Sequence, residues 1–301
     1  MNKEELISRI KQLKKEKNAI ILAHNYQIAD VQDIADFVGD SLELSRKAAS
    51  LKEPMIVFCG VFFMAETAKM LAPEKTVLLP EIDAGCPMAD MATAPEVKAW
   101  KKNYPEAEVV CYINTNAEVK AECDICCTSS NAAKIVDSID CDTVLFVPDK
   151  NLAAYVSRFA QKRVIPWEGY CYVHDKIMKE DVLKKRALYP DAEVWVHPEC
   201  RPEVIDLADK VLSTGKMVLE ARVTSKKHII IGTEIGMIYR LKKENPDTNF
   251  YPLKETALCS NMKKIDLRSI LKALEENRYK IEVPSEIRQK ALGTIEKMLV
   301  V

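Results

Sequence analysis

Glycine is scarce in this chain, eight in 301 residues, and no glycine- or serine-rich stretch separates one part from another. That excludes a string of domains on flexible linkers. No run approaches the ~20 apolar residues that a spanning helix needs. The N-terminal MNKEELISRIKQLKKEK reads as a charged amphipathic helix without an apolar signal core, so a cytoplasmic protein is expected. Net charge is missing too. With 44 Lys+Arg against 45 Asp+Glu it is −1, which removes the electrostatic case for nucleic acid or an anionic membrane as a partner. Histidine is rarest of the reactive residues, at four.

What the chain does have is length, apolar residues and thiols. At 301 residues, 48% of them apolar, two or three domains with a sizeable core are expected. The ten cysteines of a protein in a reducing compartment are not a disulfide framework. Each is either a small buried residue or a metal ligand.

The chain is written three times. The runs AIILAHNY, EVVCYINT and EVWVHPEC carry His24, Tyr112 and His197 at 88- and 85-residue spacing. ADFVGDS, CDICCTS and ADKVLST repeat that spacing, ending on Ser41, Ser129 and Thr214. PMIVFCG, DTVLFVP and HIIIGTE keep the same register, and TVLLP, RVIP and NFYP close each copy. Short β-branched runs alternating with helical patterns predict parallel strands with helices on both faces. The expected architecture is three homologous α/β/α sandwich units around a pseudo-threefold axis: 1–90, with 263–301 packing back on it, 91–175, and 176–262.

The repeat also sorts the thiols. Cys59, Cys111, Cys123, Cys126 and Cys127 replace small or apolar residues of the other copies, the pattern of inert structural cysteines. Cys141 and Cys200 have no cysteine counterparts. Cys123-x-x-Cys126 lacks a second pair and is weak as a zinc or redox motif. One set recurs in every copy: Cys86, Cys171 and Cys259, five to seven residues after Pro80, Pro166 and Pro252. Sites in open parallel sheets form beyond the carboxyl ends of strands, so the threefold arrangement predicts that these loops converge. Three thiolates suit zinc with a fourth ligand, or a 4Fe–4S cluster with one iron free of protein. Ligands this far apart in sequence favour the cluster. An open iron points to Lewis-acid dehydration chemistry.

The strand-end residues His24, Tyr112 and His197 are expected to face the axis as proton donors and acceptors. Tyr26, Asn114 and Glu199 lie two residues further on, and Glu199 is the carboxylate base of the set. Ser41, Ser129 and Thr214 are expected as hydroxyls at helix starts, where an N-cap and an anion site coincide.

These segments resemble the quinolinate synthase family. AHNYQIADVQDIADFVGDSLELS, GCPMAD, YINTNAE, TSSNA, HPEC, STGKM, GTEIGMIYRL and CSNMKK carry the likeness over essentially the whole chain. Thr115 stands where the family pattern suggests serine. The resemblance implies condensation of iminoaspartate with dihydroxyacetone phosphate to quinolinate, phosphate and water, as a step of NAD biosynthesis. It implies a 4Fe–4S cluster on Cys86, Cys171 and Cys259. It implies that His24, Ser41, Tyr112, Asn114, Ser129, His197, Glu199 and Thr214 contact substrate, with Tyr26 and Glu199 in acid–base roles. L-aspartate oxidase or aspartate dehydrogenase is the implied source of the imine. The alternatives are another Fe–S hydro-lyase and a non-catalytic Fe–S or zinc binding module, the latter favoured if Cys200 supplies a fourth ligand.

Overall fold

The computed structural model describes residues 1–301. Twelve strands make three sheets. The first holds β1 (Ala19–His24), β2 (Phe37–Gly39), β3 (Met55–Cys59) and β4 (Thr76–Leu78). The second holds β5 (Glu108–Tyr112), β6 (Ile125–Cys127), β7 (Thr143–Val147) and β8 (Arg163–Pro166). The third holds β9 (Glu193–Val196), β10 (Lys210–Val211), β11 (His228–Gly232) and β12 (Asn249–Pro252). Each has its four strands in the order 2-1-3-4, and all the pairings between them are parallel. The expected architecture of three similar α/β units is therefore observed. All six residues of β1 are buried, as strands covered by helices on both faces require.

An aspartate fixes the register in every unit. Leu22 is the first residue of β1 to pair with β2, and Asp36 extends that ladder by one residue. Its Oδ2 accepts the Ile21 N–H at 2.8 Å, and its own N–H donates to Ile21 O at 2.9 Å. Asp124 and Asp209 repeat both bonds on Val109 and Val194. A basic residue of the preceding helix pairs with each: Lys14, Lys101 and Arg186, at 2.5, 2.6 and 2.8 Å. A charge-assisted bond to a strand-edge amide is among the stronger local contacts a fold can make, and here it occurs three times at 88- and 85-residue spacing.

The tail divides between two units. Helix Leu267–Glu276 packs on helix Lys3–Glu16, and the following segment bridges antiparallel to Leu78 on the edge of the first sheet. The last helix, Ser285–Val300, instead lies against β6 and helix Ala117–Lys120 of the second unit, touching the first through Phe62–Leu71. The expectation that the whole tail packs on the first unit is corrected here. The second unit offers only the four-residue Ala117–Lys120 helix beside β6, and the apolar Ala291, Ile295 and Met298 cover what that short helix leaves bare.

The first two units share one continuous apolar core, which includes this tail. The third has its own clusters, one on each face of its sheet: Val194, Val196 and Ile230 on one side, Trp195, Ile229 and Ile231 on the other. No helix is long and apolar enough to cross a membrane.

Candidate active site

The carboxyl ends of the three sheets converge on one cavity of about 750 Å³, counted with the part that opens to solvent. It is lined by Cys86, Cys171 and Cys259, by His24, Tyr26, Tyr112, Asn114, His197 and Glu199, and by Ser41, Ser129 and Thr214. All twelve residues singled out from the sequence are thus brought together. Neither lysine nor arginine lines the cavity.

The cysteine loops differ in length, yet they dock identically. The carbonyl two residues before each cysteine accepts the N–H that follows its unit's third strand. Ala84 O receives Phe62 N, Gly169 O receives Lys150 N, and Ala257 O receives Ile235 N, at 2.8 to 2.9 Å. A Cβ on Gly169 would lie 2.4 Å from Pro148 O, so only glycine allows that approach. Each cysteine then begins a helical turn. Its carbonyl accepts the N–H four residues on (Asp90, Asp175 and Lys263), and the N–H three residues on (Ala89, His174 and Met262) faces its sulfur. Burial pushes all three thiols up, Cys86 to about 12. They therefore stay protonated until a cationic partner draws the thiolates out.

Two of the loops are also held by buried carboxylates. Glu234 Oε1 accepts Cys259 N at 3.0 Å, while Oε2 takes Gly236 N at 2.7 Å and Lys263 Nζ at 2.9 Å. Asp149, at the equivalent position of the second unit, faces the Cys171 N–H without a well-aligned bond to it, and caps helix Lys150–Val156 through Asn151 N and Leu152 N. The first unit has Val61 there.

His24 and His197 are held alike. The N–H two residues on donates to each Nδ1: Tyr26 N to His24 at 3.2 Å, Glu199 N to His197 at 3.3 Å. A ring nitrogen that accepts carries no proton, so the proton sits on Nε2. Burial pushes both imidazoles down to about 3. They are neutral rings offering an Nε2–H donor.

Glu199 is almost wholly buried. Tyr112 donates to its Oε1 at 2.5 Å. His174 Nδ1 lies 2.6 Å from its Oε2, out of line for an N–H···O bond. Burial raises the carboxyl, but the neighbouring His174 and the bond from the Tyr112 hydroxyl outweigh it and hold Glu199 below the usual carboxylate range. His174 stacks on His197 with ring centroids 4.7 Å apart. Its Nε2 meets Thr233 Oγ1 at 2.8 Å, and Tyr26 OH meets the same oxygen at 2.5 Å. Tyr112, Glu199, His174, Thr233 and Tyr26 thus form one polar chain across all three units. His174 and Glu234 were missed from the sequence. The nearest signal was a rare histidine three residues after Cys171.

The helix starts need a correction. Ser41 and Thr214 are not N-caps but the first helical residues. The caps are Asp40, which accepts Glu43 N at 2.9 Å, and Ser213, which accepts Lys216 N at 3.3 Å. Ser129 lies in the turn before helix Ala132–Ser138. Since they do not cap, these three hydroxyls can line the cavity, and Thr214 also accepts Asn25 Nδ2 at 3.1 Å. Cys200 is buried with Sγ on Gly232 O at 3.4 Å and does not line the cavity. The remaining cysteines are free thiols, and Cys59, Cys111, Cys123, Cys126 and Cys127 are buried.

The family described as quinolinate synthetase A protein matches residues 8–300. The quinolinate synthase of Thermodesulfovibrio yellowstonii is 58% identical over 294 residues, 97% of each chain. That of Dehalococcoides mccartyi strain 195 is 57% identical over 296 residues, 98% of each chain. That of Methanosarcina barkeri is 50% identical over 301 residues, 100% of this chain and 99% of its own. The likeness runs through all three units and both ends of the tail, and the chain belongs to the quinolinate synthase family.

Proposed function

We propose that this enzyme condenses iminoaspartate with dihydroxyacetone phosphate to give quinolinate, phosphate and water, with Cys86, Cys171 and Cys259 holding a 4Fe–4S cluster. The observation that carries this reading is the single cavity in which one cysteine from each unit meets the strand-end side chains and the hydroxyls of Ser41, Ser129 and Thr214. The donor set fits a cluster. Each sulfur faces a backbone N–H, which favours thiolate, and Cys86 and Cys259 stand outside the one group of ligating atoms gathered within 4.8 Å, so the trio is more widely spread than a single ion draws in. When bound, such a cluster supplies an iron without a protein ligand as a Lewis acid.

The chain's own residues do the rest. Ser41, Ser129, Thr214 and Asn114 hold the carboxylates and the phosphate. His24 and His197 donate from Nε2 to substrate oxygens. Glu199, ionised and aimed by Tyr112 and His174, takes protons. Tyr26, held by Thr233, returns them. Substrates held together in one cavity gain the advantage of proximity. We divide the chain into units 1–90, 91–175 and 176–262, with the tail 263–301 shared between the first two, and we take aspartate oxidation or dehydrogenation as the source of the imine.

The test is anaerobic purification with iron, sulfide and zinc analysis, followed by a quinolinate assay with both substrates. About four irons per chain and quinolinate formed only with triose phosphate present support the reading. A single ion lost only in Cys171→Ala would favour a site at Cys171, His174 and Glu199, whose ligating atoms lie within 4.8 Å. Turnover of a simple hydroxy acid without triose phosphate would favour a hydro-lyase.

A further inference from the structure

At one wall of the cavity, which Asp40 also lines, the starts of the three units' helices are tied by one set of hydrogen bonds. Ser130 Oγ lies 3.0 Å from Asp40 Oδ2 and 2.7 Å from Ser213 Oγ. Asp40, Ser130 and Ser213 come from the first, second and third units, and each is the chain neighbour of a cavity hydroxyl: Ser41, Ser129 and Thr214. Ser130 has one hydroxyl proton, and both Asp40 Oδ2 and Ser213 Oγ are placed to accept it. Each acceptor also holds its own helix start, Asp40 through Glu43 N on Oδ1 and Ser213 through Lys216 N. Asp40 and Ser213 are nearly sealed from solvent, at 6% and 1% exposed. Gly215 completes the set, because a Cβ there would stand 2.5 Å from Asp40 Oδ2. The third unit's helix approaches the first unit's carboxylate this closely only because residue 215 has no side chain.

We propose that Asp40, Ser130 and Ser213 are positioning residues that set the spacing of Ser41, Ser129 and Thr214, and through it the affinity for dicarboxylate and phosphorylated ligands. This rests on the reading of those three hydroxyls as substrate ligands. The cavity carries no lysine or arginine to hold an anion at long range. Its grip on an anion then depends on short hydroxyl bonds, which are sensitive to misplacement. The three hydroxyls sit on three separate units, so something must hold the units in register at this point. The shared hydrogen bonds of Asp40, Ser130 and Ser213 do so.

Ser130 is the place to test this. Its hydroxyl caps no helix, and it lines an outer cleft rather than the cavity. Ser130→Ala is expected to raise both KM and the quinolinate Kd about tenfold or more, with kcat within threefold and iron content unchanged, and Ser130→Thr is expected to restore binding. Gly215→Ala provides a second route to the same displacement and is expected to raise the same two quantities. Thr214→Val is the control on the underlying reading. If Thr214→Val weakens quinolinate binding while Ser130→Ala and Gly215→Ala leave it within twofold, the positioning role is wrong and the hydroxyl reading stands. If Thr214→Val also has no effect, both fall. A parallel loss of kcat, iron and thermal stability in Ser130→Ala, with Kd unchanged, also overturns the proposal, because it marks a purely structural bond.

Discussion

Tyr112, at the end of β5 in the second unit, donates its phenolic proton across 2.5 Å to Glu199 of the third unit. The bond orients a buried carboxylate whose other oxygen is occupied by His174. In Tyr112→Phe the ring remains and the donor is lost. The expected result is a kcat lower by about 10²-fold, the lower end of what a well-placed acid–base group contributes, with iron content unchanged. Steady-state kinetics on the reconstituted variant check this, and a kcat within threefold of the parent would remove Tyr112 from the catalytic chain.

Cys86→Ala, Cys171→Ala and Cys259→Ala should each lose the iron. Cys126→Ala should keep it, since Cys126 is buried in the second unit's core with Sγ 3.2 Å from Thr294 Oγ1. Iron and sulfide analysis of the four proteins, prepared side by side without oxygen, decides the matter.

Glu234→Ala removes the acceptor of Cys259 N and Gly236 N and the partner of Lys263. Outer partners of metal ligands are worth about 10- to 100-fold in metal affinity, so a chelator should strip iron at least about tenfold faster. Val61→Ala, at the corresponding position of the first unit, should have little effect on that rate, because Val61 offers the Cys86 loop no acceptor.

The neutral histidines make a pH prediction for the apoprotein. His24 and His197 have folded pKa values pushed down to about 3, against about 6.5 when unfolded. A depressed histidine means that the unfolded chain binds the extra proton. Stability is therefore full above about pH 6.5 and falls below it, by up to about 1.4 kcal/mol per pH unit for each ring. Tm measured from pH 7.5 to 5 should drop, and His24→Asn should flatten the slope.

The sequence showed most clearly those features that every unit repeats. His24, Tyr112 and His197 were visible because a strand end has a fixed place in a unit, and the 88- and 85-residue spacing survives in the structure down to the bonds of Asp36, Asp124 and Asp209. The cysteines escaped that spacing by three residues. Their loops vary between the fourth strand and the docking carbonyl, and only the structure shows that Ala84, Gly169 and Ala257 restore equivalence. His174 could not be found this way. Its N–H faces a cysteine sulfur as those of Ala89 and Met262 do, but only its side chain is an imidazole, so the repeat gives no second copy to compare. The helix caps were displaced by one residue because Asp40 and Ser213 are both good caps, and Ser41 and Thr214 beside them share the same hydroxyl signature.

The separate apolar clusters of the third unit have a consequence for how the molecule opens. That unit meets the other two largely through polar side chains: Asn25 to Thr214 at 3.1 Å, Tyr26 to Thr233 at 2.5 Å, Tyr112 to Glu199, Ser130 to Ser213, and Tyr239 and Lys243 to Asp33. Several of these are the side chains that line the cavity. The seam that joins the third unit therefore includes groups that would hold substrate, among them Tyr26, Tyr112, Glu199 and Thr214, and a bound dicarboxylate would act as mortar in it. Backbone amides of β9 and β11 should exchange deuterium as one cooperative block, sooner than those of β1 and β5, and quinolinate should slow that block while leaving the shared core of the first two units almost untouched.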